Sequence, residues 1–100
     1  SIHGANLATD RPDSPHRVAA QLRCETYVAC AEHDHWAPPE AVAQLAAGLA
    51  NAGAPHRIEW YPGAVHGFVF PRRTGAYDRT SAERHWERLF ALFERCLRRA

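Results

Sequence analysis

The sequence predicts an α/β fold built on a parallel βαβ unit, and three observations carry that prediction. Residues 27–31 form a nearly continuous apolar run after Glu25 and Thr26, as in a strand covered on both faces. Residues 38–52 carry apolar positions at helical spacing, bounded by Pro38-Pro39 and Gly53. His56 to Tyr61 then alternates as a second strand, with Ile58 and Trp60 on one side. Strand, helix and strand joined by short links imply parallel pairing and a right-handed crossover.

The remaining elements follow in chain order. Residues 1–16 are polar and rich in turn formers, and Ser1-Ile2-His3 reads as the tail of a strand. Ser14 before Pro15 suits the N-cap and first turn of a short helix over 15–21. The first strand spans 25–31. In the helix after it, Val42, Leu45, Ala46 and Leu49 make one stripe, Asn51 to Gly53 gives the stop, and Pro55 prevents continuation. A loop over 62–79 leads to a last helix over 80–98, opened by a Thr80–Glu83 capping box. Its wide stripe of Ala82, Trp86, Leu89, Phe90, Phe93 and Leu97 requires burial, and Arg95, Arg98 and Arg99 suit the helix C-terminus.

Two parallel strands do not complete a sheet, and the 25–31 strand calls for a neighbour on its other side. The expectation is the C-terminal part of a larger α/β sheet, or a chain that covers this edge with a partner. The opening on Ser1 without Met fits a fragment, a processed product or a tagged protein.

Composition bounds the function classes. One hundred residues make one domain at most, near the lower limit for a self-sufficient core. A hydrophobic fraction of 46% and a charged fraction of 23% are those of an ordinary globular protein. With a net charge of +1, nothing indicates nucleic acid or an anionic membrane as partner. The cations are all Arg, scattered and interleaved with acids as on solvated faces. No apolar run is long enough to span a bilayer, and no signal-peptide pattern opens the chain. Cys24, Cys30 and Cys96 are odd in number and lack C-x-x-C spacing, so reduced thiols packed in the core of a cytoplasmic protein are expected.

Chemistry concentrates after the two strands. Asp34 follows the first and His66 follows the second, the acid before the histidine, as two of three triad groups are ordered in α/β-hydrolases. An imidazole activates a thiol or hydroxyl nucleophile, and a carboxylate on its far nitrogen fixes tautomer and orientation. The plainer roles are a loop histidine for His66 and a turn or N-cap acid for Asp34. His33 and His35 flank Asp34 but lack the helical H-x-x-x-H spacing of a zinc site, so no metal is assigned.

The segment Glu32-His33-Asp34-His35 leading to Pro38-Pro39 is followed by Glu59-Trp60-Tyr61-Pro62-Gly63-Ala64-Val65-His66-Gly67-Phe68, then Tyr77-Asp78, Ala82 and Trp86. This order resembles the C-terminal portion of the dienelactone hydrolase family over essentially the whole chain, and the Tyr-Pro-Gly-x-x-His-Gly-Phe segment is its most specific part. The resemblance implies the C-terminal part of an α/β-hydrolase fold over residues 1–100, acting on a small ester or lactone without a cofactor. It maps the triad acid onto Asp34 and the base onto His66.

Two departures stand out. The family's nucleophile lies in a G-x-C-x-G or G-x-S-x-G elbow, yet only Gly63 and Gly67 are four apart here, with Val65 between them. Ala31 also stands where the acid-bearing strand usually ends in Gly. Cys30, inside an apolar strand, is no substitute for the elbow. The isolated chain is therefore expected to be inactive, with the nucleophile upstream. Pairing with that part, or self-association, is the expected partnership.

For substrate binding, His35 shapes a pocket rim, while Trp36 and Phe68 line either the pocket or the core. Arg72, with Arg73, holds a substrate carboxylate or is simply solvated. The rival classes are a non-catalytic remnant that oligomerises through its sheet edge, and a small His-rich metal binder.

Overall fold

The computed structural model describes residue 2 and residues 4–97. Its elements are α1 (Pro15–Val18) running into a 3-10 turn at Ala19–Gln21, β1 (Thr26–His33), α2 (Pro39–Ala52), β2 (His56–Val65) and α3 (Arg79–Leu97). The strands pair in parallel with Thr26 opposite His56 and Ala31 opposite Tyr61. The expected βαβ order is therefore present. The expected strand at Ser1-Ile2-His3 and the arginines at 98 and 99 lie outside the described residues.

Both strands run further than the sequence suggests. β1 continues through Glu32 and His33, and β2 crosses Pro62-Gly63 to end at Val65. The register explains how. Pairing is lost after Ala31–Tyr61 and resumes at His33–Val65, so β2 accommodates two extra residues against β1. Gly63 takes φ 75° there, a left-handed conformation that suits glycine. Its N–H donates to Glu32 Oε1 at 2.6 Å. A proline-glycine pair that reads as a strand end is thus a bulge within a longer strand.

Packing is concentrated on one face of the sheet. Ala31, Tyr61, Ala64, Phe68, Val69 and Ala82 form a buried cluster joined by Tyr27, Ala29 and Trp86. The alternation of β2 is as expected, but the deeper side is Glu59 and Tyr61, while Trp60 is 41% exposed. α1 packs on α2, where Gly48 lets the His16 carbonyl approach its Cα closely. Ser14 sits at the N-cap of α1, but its hydroxyl accepts from the Thr9 N–H and bonds His16 Nδ1 instead of capping.

Three expectations are corrected. The last helix begins at Arg79, so Thr80 lies inside it and there is no Thr80–Glu83 box; Asp78 stands before the first turn and accepts from the Ser81 hydroxyl at 2.7 Å. Glu83 instead pairs with Arg79 one turn away. The stripe of α3 is buried only in its first half. Phe90, Phe93 and Leu97 are 62%, 44% and 72% exposed, because a sheet of two strands is too narrow to cover the whole stripe. Finally, only Cys30 of the three cysteines is packed inside; Cys24 and Cys96 are exposed. Cys96 lies near the exposed end of α3, where its thiol donates to Glu25 at 3.1 Å.

Candidate active site

The parallel register sets the site. His33 and Val65 are paired, so the next residue on each strand, Asp34 and His66, emerges beside the other. The His66 Nδ1–H donates to Asp34 Oδ2 at 2.8 Å. The other carboxylate oxygen, Oδ1, accepts from the backbone N–H of Trp36 at 2.9 Å and of Ala37 at 3.3 Å. The two backbone donors hold the carboxylate plane, and the side chains of Asp34 and His66 are only 9% and 20% exposed. A carboxylate that only accepts places the imidazole proton on Nδ1, which makes Nε2 the basic nitrogen.

The turn carrying His66 is fixed on several sides. Gly67, at φ 91°, has the Arg73 guanidinium lying across it, where a Cβ would stand 3.0 Å from Nε. Phe68 is 4% exposed, and its carbonyl accepts from the Asp78 N–H at 3.1 Å, just before α3.

The other residues singled out in the sequence fall into distinct places. Trp36 is half-exposed, with its ring 6.4 Å from that of His66 and 4.7 Å from that of His35, which is also exposed. Arg72 and Arg73 line an open cleft of about 490 Å³ with Phe70 and Pro71. Phe68 packs in the core against Tyr61. Cys30 is buried below the site, and burial, reinforced by the Asp34 charge, pushes its thiol up to about 11. It is therefore a protonated core thiol. Among the described residues, no three of the His, Cys, Asp and Glu side chains gather closely enough to hold a metal ion.

Sequence reasoning passed over a highly connected acid among the described residues. Glu59, 8% exposed on β2, receives the Tyr27 hydroxyl at 2.7 Å, Arg88 Nε at 2.9 Å, and Arg57 and Arg84 at 3.1 and 2.6 Å. Burial pushes its carboxyl up, but the hydrogen bonds from Tyr27, Arg88 and Arg84 outweigh it and hold it at about 2. Since Tyr27 gives its proton to Glu59, the 2.6 Å contact between Tyr27 and Tyr61 has Tyr61 as donor. Arg84 also lies over the Tyr61 ring, 4.6 Å from its centroid. The available signal was Glu59 two positions from Tyr61, which places both on one strand face.

A parallel βαβ unit that delivers an acid and a histidine side by side beyond its strand ends defines the class: an α/β-hydrolase-type arrangement. Comparison with known proteins gives the family. The sequence profile of the dienelactone hydrolase family matches residues 1–97, and the chain belongs to that family. Among solved structures, it is similar to a Klebsiella pneumoniae subsp. pneumoniae MGH 78578 protein provisionally described as a dienelactone hydrolase, with 26% identity and a TM-score of 0.80. The match covers 91% of this chain and 39% of that protein, so the chain spans about two-fifths of its length. A search of the curated proteins finds no match.

Proposed function

We propose that this chain provides the acid and base of a hydrolase acting on ester or lactone bonds, with the attacking Cys or Ser contributed from outside its 100 residues. The observation that carries the reading is the 2.8 Å bond from His66 Nδ1 to an Asp34 carboxylate whose other oxygen is held by two backbone N–H groups. Family membership supports the hydrolase class. The coverage of 39% of the Klebsiella protein supports a larger acting unit.

In this reading His66 Nε2 takes the proton of the nucleophile as its oxygen or sulfur attacks the carbonyl carbon. The same proton passes to the departing alkoxide, which in a lactone stays tethered to the acyl group. Water then attacks the acyl-enzyme, its proton again held by His66, and the nucleophile leaves with that proton. Asp34 stabilises the imidazolium at each stage and does not itself become protonated. His35 and Trp36 form the rim on the Asp34 side, Arg72 faces a substrate carboxylate from the cleft after His66, and Phe68 holds the His66 turn. No step calls on a metal or organic cofactor.

The test uses the protein that carries this chain together with its nucleophile. His66→Ala and Asp34→Asn should each lower kcat for an ester by about 10³–10⁴-fold, the latter by removing the tautomer-fixing acceptor. Activity unaffected by either substitution would refute the proposal.

A second reading, a non-catalytic module that assembles through its open sheet edge, is favoured by the exposure of Phe90, Phe93 and Leu97 on α3. It expects the purified chain to self-associate with rising concentration, and Phe90→Glu with Leu97→Glu to restore the monomer mass in light scattering. A monomer at all concentrations would remove this reading.

A further inference from the structure

A column of rings runs from β2 to α3 beside the candidate base. The Tyr61 and Phe68 centroids are 5.2 Å apart, Phe68 and His85 meet edge-on at 6.2 Å and 86°, and His85 and Trp86 lie 5.0 Å apart. Phe68, two residues after His66, thus has one ring neighbour on β2 and another on α3, and its carbonyl accepts from the Asp78 N–H. Gly67, which separates the two, is bounded on its open side by Arg73.

His85 is the unusual member of the column. It is 8% exposed, and its Nδ1 is buried without a hydrogen-bond partner among the described residues. A buried orphan N–H is worse than a buried orphan lone pair, which places the proton on Nε2 and leaves Nδ1 bare. An apolar ring would fill the same space without an orphan nitrogen. With no hydrogen bond on Nδ1, what His85 presents to Phe68 is its ring, in edge-on contact.

We infer that His85 is a positioning residue for His66, acting through the Phe68 ring it packs against and the Gly67 link between them. The inference rests on His66 being the base of the proposed reaction. With Phe68 held between Tyr61 and His85, the His66 turn has one conformation, and the imidazole meets Asp34 at hydrogen-bond distance. Removing the His85 ring frees one side of Phe68 and lets the turn rock about Gly67.

The experiment uses the intact protein, with ester turnover and the NMR resonance of the His66 Nδ1–H proton as separate readouts. His85→Ala should lower kcat by about ten- to a hundredfold, the effect of a misplaced catalytic group, with KM within about twofold. It should also weaken or broaden the His66 proton resonance. His85→Phe should restore both, since the ring and not its nitrogen does the positioning. Wild-type kcat and an unchanged resonance in His85→Ala would overturn the inference. So would a fall in kcat with the resonance unchanged, which assigns His85 to packing alone, or a failure of His85→Phe to restore either readout.

Should His85→Ala not fold, Phe68→Leu tests the same link: the same kcat-selective loss is expected, and unchanged kcat overturns it. If the wild-type protein hydrolyses no ester, the hydrolase reading fails, yet the resonance still decides the positioning, because it requires only the Asp34–His66 bond.

Discussion

The Asp34 carboxylate has both oxygens committed, one to His66 and one to the backbone of Trp36 and Ala37. Glu59 is committed differently. Three guanidiniums and a phenol converge on a side chain that is 9% exposed, and they join β2 to β1 and α3. Removing its charge leaves Arg57, Arg84 and Arg88 around a neutral amide. Glu59→Gln should therefore lower unfolding free energy by about 2–3 kcal/mol, below the usual cost of breaking a buried ion pair because the guanidiniums keep part of their hydration. The pH dependence follows from the same contacts. Glu59 titrates near 2 when folded against an ordinary 4.5, so the folded state binds its proton less readily than the unfolded chain. The stability it provides is complete above the ordinary value and is lost as pH falls from 4.5 toward 2. Denaturant midpoints measured across that window should fall steeply in the wild type and more gently in Glu59→Gln; parallel curves would show that Glu59 is not the group responsible.

At the scale of elements, what was legible in the sequence was whatever repeats. The apolar run of β1, the stripe of α2 and the alternation of β2 each recur often enough to declare a period, and the structure has all three. The missed features are single events. Pro62-Gly63 looks like a stop because it is one in most strands, yet Glu32 reaches across to the Gly63 N–H and the strand continues to Val65. That continuation is what brings His66 level with Asp34. Gly63 has φ 75° and no atom within 4 Å of a would-be Cβ, so its requirement is conformational alone. Gly63→Ala should then cost about 1 kcal/mol, the penalty of a left-handed alanine, and lower the melting temperature accordingly. No change in melting temperature would mean that the bulge relaxes without loss. The Thr80 box failed for a related reason: Asp78 lies two residues earlier, and its carbonyl accepts the Ala82 N–H at 2.8 Å, so the helix is already under way at Thr80. Glu59 was hidden because three of its four partners, Tyr27, Arg84 and Arg88, lie 25 to 32 residues away in the chain.

Across the whole molecule, the described residues divide into a finished part and an open one. The finished part is the C-terminal end of the sheet, where Tyr61, Phe68, Val69 and Ala82 are buried and the Asp34–His66 pair is assembled. The open part comprises the two outer edges of the two-stranded sheet and the second half of α3, where Phe90 and Leu97 remain largely exposed. No helix among the described residues is long and apolar enough to cross a membrane. The position of these exposed side chains fits a larger sheet, as does the coverage of 39% of the related Klebsiella protein. Under the proposed function, the acid and base lie in one contiguous segment and the nucleophile in another.

The most direct measurement is p-nitrophenyl acetate hydrolysis by the 100-residue chain, first alone and then combined with a segment proposed to carry the nucleophile. The expected result is no turnover above background for the chain alone, and turnover on combination that His66→Ala abolishes. Hydrolysis by the chain alone, lost in His66→Ala, would contradict the central claim, because it would place a complete catalytic set within these 100 residues.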